Sequence, residues 1–156
     1  CALPISNRHD YIRCSRRHGA DLLYQDPWRL AIRRMGCPAV TQEEFWEEKK
    51  HLLKLALDGC YTLEDVWDEI ENNRAQFWPM PNSAVVTQVL EFPRKRVLRI
   101  WLAGGELHEL RRAIAHAEEY ALHRGCTEVE IDGRKGWARA LDGFTETRRV
   151  LTKEVI

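Results

Sequence analysis

No apolar run in this chain approaches the ~20 residues that a membrane-crossing helix needs, so no bilayer span is expected. Charge of one sign is not in excess either: 24 Lys and Arg face 24 Asp and Glu. That balance argues against general affinity for nucleic acid or for a membrane surface. Cysteine is sparse and unpaired in pattern. Cys1, Cys14, Cys37, Cys60 and Cys126 are widely spaced, odd in number and free of any CxxC pair, which is neither a zinc pattern nor a disulfide framework. Isolated thiols fit a reducing compartment, and each is expected to be a small buried hydrophobe or a harmless surface thiol. No basic n-region followed by an apolar h-region opens the chain, so a secretion signal is not expected. Internal repeats and low-complexity segments are missing too, and no Ser–His–Asp or Cys–His arrangement can be read from the spacings.

What is present is an ordinary globular composition, 44% apolar and 31% charged over 156 residues. That length suits one domain with a core that needs neither disulfides nor metals. The charge is unevenly spread. Residues 1–40 hold seven Arg and three Asp, a net +4; residues 41–75 hold ten acids and four bases, a net −6; residues 76–156 hold thirteen bases and eleven acids, a net +2.

Residues 1–38 carry two readings. Ala2-Leu3-Pro4-Ile5 is what the end of a common sequencing adapter reads as when translated, and all seven bases before Val40 are Arg; on this reading the front is an artefact and Met35 is a candidate true start. The alternative is a natural arm in which Asp26-Pro27-Trp28-Arg29-Leu30-Ala31-Ile32 opens a short helix with Pro in its first turn. Function is not rested on this segment.

From Val40 onward the pattern predicts an acidic helical hairpin over residues 39–75. Thr41 with Glu44 is a capping box. The helix it opens runs to about Leu57, with Phe45, Leu52, Leu53, Ala56 and Leu57 as its apolar stripe. Thr62 with Asp65 starts a second helix that Asn72-Asn73 ends, and the acids of both form a solvated face. Residues 76–156 then read as a sheet with a crossover helix. Pro79-Met80-Pro81-Asn82 breaks structure after Gln76-Phe77-Trp78. Ser83 to Phe92 and Val97 to Leu102 are strands joined by the basic turn Pro93–Arg96. Glu106 to Arg124 is a helix whose stripe is Leu107, Leu110, Ile114, Ala117, Ala121 and Leu122, closed by Gly125. Thr127 to Ile131 is a strand parallel to the one before the helix. A loop and short helix from Gly133 to Leu141 precede a last strand, Arg148 to Val155. The fold class is α/β (α+β), a mixed sheet with a central parallel pair.

That order resembles the second half of the GNAT acyltransferase fold. The match is carried by Val97-Leu98-Arg99-Ile100-Trp101-Leu102-Ala103-Gly104-Gly105, the helix end Arg124-Gly125-Cys126, Val129-Glu130-Ile131, and Ala140-Leu141-Asp142-Gly143-Phe144. The last phrase is similar to that family's leucine–glycine–phenylalanine corner. Gly133-Arg134-Lys135-Gly136-Trp137 looks like small GNAT-like proteins carried by bacteriophages and prophages.

The resemblance implies that acetyl-coenzyme A would lie between two splayed parallel strands. Its pyrophosphate would sit on the backbone N–H groups that open the long helix, where unpaired donors and the positive dipole end favour an anion. The implied cofactor loop is then Leu102, Ala103, Gly104, Gly105, Glu106 and Leu107. The family pattern there is Arg or Gln, two residues, Gly, one residue, then Gly or Ala. Aligned on Gly105, its first position is Leu102 and its last is Leu107, so only the middle glycine remains. Glu106 and Glu109 suit the helix dipole but repel phosphate. The family's tyrosine proton donor falls on Arg139.

Other candidates have plainer readings beside the sharp ones. Gly104-Gly105 reads as a turn from strand to helix as well as a phosphate cradle. Glu130 is the weak candidate for a catalytic base, with a structural role as its alternative. Arg134, Lys135, Arg139, Arg148 and Arg149 form a patch for an anion or a partner, or simply solvated charge. Trp101 and Trp137 suit core packing or ligand stacking. His108, His116 and His123 lie ~11 Å apart along one helix, too far to share a metal, so no metal is expected. The favoured expectation is a phage or prophage GNAT-like protein with a degenerate acyl-CoA site, in a structural or interaction role. Its partner would be another protein, virion components included, and its place the bacterial cytoplasm or the virion. An active acetyl-CoA-dependent N-acyltransferase and a small nucleic-acid-associated protein are the alternatives.

Overall fold

The computed structural model describes residues 41–133, 136–148 and 151–155. The expectations for residues 1–38, and for Arg134, Lys135 and Arg149, lie outside the described residues. Helix α1 (Gln42–Leu53) begins at Thr41, whose hydroxyl accepts from the Glu44 N–H at 3.2 Å while the Glu44 carboxylate accepts from the Thr41 N–H at 2.8 Å. The reciprocal pair satisfies two donors that a helix start otherwise leaves open. A 3-10 turn, Lys54–Ala56, follows. Thr62 and Asp65 repeat the same box at α2 (Leu63–Glu71), with Thr62 N–H to Asp65 at 2.7 Å.

Among the described residues, four strands follow. They are β1 (Gln76–Pro79), β2 (Ser83–Phe92), β3 (Lys95–Gly105) and β4 (Glu128–Ile131), in spatial order β1-β2-β3-β4. β1–β2 and β2–β3 are antiparallel, and β3–β4 is parallel. The crossover helix α3 (Leu107–His123) ends in a Schellman arrangement: the Cys126 N–H reaches the Ala121 carbonyl at 2.8 Å and the Gly125 N–H reaches Leu122 at 3.0 Å. Arg96 adds a cation there, its Nη1 donating to the Arg124 carbonyl at 2.7 Å. A short helix α4, Trp137–Ala140, lies beyond β4.

The sheet separates two apolar layers because strand side chains alternate in direction. Phe77, Ala84, Val86 and Leu102 face α1 and α2, meeting Phe45, Trp46, Leu53, Val66 and Ile70. Trp46 is the hub of that layer, stacked on Trp67 at 5.5 Å and edge-on to Phe77 at 5.4 Å. Trp78, Val85, Leu98 and Ile100 face α3, meeting Leu110, Ala113, Ile114, Ala117, Tyr120 and Ala121. Trp78 satisfies its indole N–H at the Thr87 hydroxyl, 2.9 Å away. Phe144, of the expected leucine–glycine–phenylalanine corner, packs half-buried on this layer with Trp137. Among the described residues no helix is long and apolar enough to cross a membrane.

Three expectations need correction. Gln76–Pro79 is a strand, although prolines 79 and 81 read as a break; Pro79 ends an edge strand, where a missing N–H is tolerated. The strand expected from Arg148 to Val155 is not seen among the described residues: residues 148 and 151–155 are irregular, and Leu151 and Val155 stand 94% and 92% exposed, so burial gives residues 151–155 no reason to pair. Leu107 and Leu122 are exposed rather than part of the buried stripe of α3. Leu122 sits about 100° round the helix from Ala121, and the buried face is completed by Ala113 and Tyr120 instead.

Candidate functional site

The end of β3, the β1–β2 turn and the start of α3 converge. β3 stays paired to its last residue, with Gly104 opposite Ala84 and Gly105 opposite Ser83, so the glycine pair closes a strand rather than forming a free loop. A Cβ on Gly104 would lie 1.9 Å from the carbonyl oxygen of Leu52 in the last turn of α1. A Cβ on Gly105, whose φ is +116°, would lie 2.3 Å from the Asn82 carbonyl. Both glycines are therefore required by neighbouring backbone. Of the other residues in this stretch, Leu102 is buried against the helical hairpin and Ala103 packs half-buried on the α3 side. Glu106 and Leu107 are exposed.

The first turn of α3 is tied to the β1–β2 turn. The Glu106 N–H donates to the Ser83 hydroxyl at 2.9 Å. Glu109 is only 5% exposed, and its carboxylate accepts from the Asn82 backbone N–H at 2.9 Å and from the Asn82 side-chain amide at 3.5 Å. Burial pushes the Glu109 carboxyl up, but the hydrogen bonds from Asn82 and Ser83 and the neighbouring His108 outweigh it, so the group titrates below its ordinary value. Lys49 steadies the same turn from the other side of the sheet, its buried ammonium donating to the Pro81 carbonyl at 2.6 Å. His108 Nδ1 lies 3.3 Å from Glu106 Oε2. The start of α3 thus carries two carboxylates and an imidazole.

β3 and β4 part company midway. Their pairing runs from Val97↔Glu128 to Ile100↔Ile131, and Trp101 to Gly105 continue without a β4 partner. Trp101 is also the extra residue of a β-bulge, because Thr87 pairs with Ile100 and Val86 with Leu102. Its half-buried ring receives the exposed Tyr61 edge-on at 5.0 Å.

Glu130 lies on the sheet face opposite Val129 and Ile131. It accepts from Arg99 Nε at 2.7 Å and from Arg148 Nη2. Two guanidiniums make it an ion-pair centre, which fits the structural role weighed for it. Of the basic patch, the structure places Arg148 in this pair and Arg139 exposed on α4. Tyr120 is buried edge-on to Trp78 at 5.4 Å. Along α3, His108 and His123 are exposed and His116 is half-buried. Cys126 is buried and its thiol pushed up by desolvation, while Cys60 is exposed. The residues that sequence reasoning missed are Asn82 and Ser83, which lie 27 and 23 positions from their α3 partners; no local signal marks them.

A helical hairpin on one face, a crossover helix on the other, and a parallel pair that separates beside the helix start make this a GNAT-like fold. Two solved structures agree. The chain is 13% identical to a GNAT family acetyltransferase from Staphylococcus aureus, over 74% of this chain and 95% of that one, with a TM-score of 0.51. It is 19% identical to TTHA1254 from Thermus thermophilus, over 70% and 92%, with a TM-score of 0.50. No protein-family model and no curated protein matches the sequence.

Proposed function

We propose that this is a GNAT-fold protein whose acyl-CoA site is degenerate, so that it acts mainly through a structural or interaction role with weak or no acyl transfer. The observation that carries the reading is the carboxylate pair at the opening of α3. Glu109 is buried and fixed by Asn82, and Glu106 stands beside it, so negative charge occupies the place where the resemblance implies a pyrophosphate. Two like charges within a few ångströms repel by several kcal/mol at the low effective dielectric of a protein surface. On the side where a Cβ would stand, the two glycines abut the Leu52 and Asn82 carbonyls, so packing alone accounts for both of them without a phosphate. Arg139, at the position of the proton donor, cannot give up a proton near neutral pH. The partner would be another protein, and the likeness of 133–137 to phage proteins points to a virion or an infected cell as the setting.

An acetyl-CoA-dependent N-acyltransferase is the second reading, favoured by the bulge at Trp101 and the parting of β3 from β4. Loss of a positioned general acid slows an enzyme by ~10²–10⁴ without making it inert. A thiol-release assay with acetyl-coenzyme A and a panel of amines separates the two. The proposal expects turnover that is absent or well below ~1 s⁻¹, and turnover at ~1 s⁻¹ or faster, ordinary for enzymes, would overturn it.

A further inference from the structure

We propose that the opening of α3 is a divalent-cation site to which Glu106, His108 and Glu109 each give one ligand atom. These atoms all lie within 4.8 Å of one another. Donors around a metal such as zinc sit ~2.0–2.2 Å from it, so the cluster must tighten by roughly 1 Å to enclose one ion. Glu106 and His108 are exposed and can close by rotamer changes, while the buried Glu109 is the fixed point.

Glu109 is prepared for the role in the way ligating carboxylates usually are, by hydrogen bonds that hold the carboxylate and set its orientation. Asn82 supplies two of them. An ionised carboxylate has about four lone-pair sites, so these bonds do not use up its acceptor capacity. Glu106 precedes the helix in extended backbone and Glu109 lies in its first turn, with His108 between them in sequence. The two carboxylates also lack an arginine partner among the described residues. Arg111, a few positions along α3, donates its Nε to the Ala140 carbonyl at 2.9 Å instead. A helix N-terminus taken alone favours an anion, but its charge is only about half an elementary unit, and two full carboxylates outweigh it.

One imidazole nitrogen and two carboxylate oxygens suit zinc or a neighbouring transition metal better than magnesium or calcium, which prefer all-oxygen sets. Three protein ligands leave the remaining positions to water. The site shares its place with the degenerate acyl-CoA position but does not depend on that reading, because cation and coenzyme A are titrated separately.

Calorimetric titration of the full chain with zinc chloride, after treatment with a chelator and dialysis, tests the proposal. One equivalent should bind saturably, more tightly than magnesium chloride does. His108→Ala and Glu109→Gln should each weaken zinc at least about tenfold, since even partners behind the ligands are worth 10–100-fold. His108 is exposed, so that variant decides the matter even if Glu109→Gln folds poorly. Absence of saturable zinc binding would overturn the proposal, as would binding that His108→Ala leaves unchanged, which would place the metal on thiols or other groups.

Discussion

Replacing Gly104 with alanine separates a glycine kept for packing from one kept for a ligand. The new methyl would sit 1.9 Å from the Leu52 carbonyl oxygen, more than 1 Å inside the 3.0 Å that real Cβ contacts keep. The obstacle is backbone at the end of α1, so no side chain can rotate away. Relief requires α1 or β3 to shift, and the shift would loosen Leu53, Phe45 and Trp46 from Val86 and Leu102, all within one apolar layer. Overpacking of this kind costs about 1–3 kcal/mol, and a backbone obstacle argues for the upper end. At about 4 °C per kcal/mol for a domain of this size, the melting temperature should fall by about 10 °C. Urea denaturation followed by tryptophan fluorescence gives an independent value. The sign is the decisive part. At an unobstructed site, Gly→Ala stabilises by about 0.4–1 kcal/mol through the unfolded chain. An unchanged or raised melting temperature would refute the argument that α1 dictates this glycine.

Other outcomes follow from the same geometry. Trp46→Ala removes the ring that links Trp67 to Phe77 and should lower stability by about 3–5 kcal/mol; a loss below about 1 kcal/mol in urea denaturation would show that the hairpin does not rest on that ring. Glu109, with its pKa depressed in the folded state, binds its proton less readily there than in the unfolded chain. Its contribution to stability is therefore complete above the ordinary carboxylate range and lost as pH falls through the folded-state value. Glu109→Gln should flatten the acid side of a stability–pH profile, and an unaltered profile would show that the Asn82 contact does not set the titration.

Where the sequence speaks locally, it reads well. The two capping boxes, the β2–β3 hairpin around Pro93 and the end of α3 at Gly125 depend on residues within a few positions of one another, and the strand span Ser83–Phe92 is unchanged. The parallel β3–β4 pairing follows from the length of the connecting helix. β1 was hidden because Pro79 at its end and Pro81 just beyond it look like breakers until an edge position is known. The end of the chain shows the opposite error: residues 151–155 read as part of a strand but are irregular and exposed. The candidate site was legible in its charges, since Glu106 and Glu109 stand at a helix start that the sequence itself marks. It was not legible in its packing. Leu52 against Gly104, Asn82 against Glu109 and Ser83 against Glu106 are tertiary meetings that no periodicity encodes.

Calorimetric titration with coenzyme A tests the central claim most directly, for the protein with Glu106 and Glu109 intact and for the double variant Glu106→Gln, Glu109→Gln. The intact chain should give no saturable heat at concentrations up to about 1 mM, a free energy weaker than about −4 kcal/mol, and the double variant should bind more tightly because the backbone donors that open α3 remain. Micromolar binding by the intact chain, about −8 kcal/mol, would contradict the account, because it would mean that a pyrophosphate is accepted beside both carboxylates.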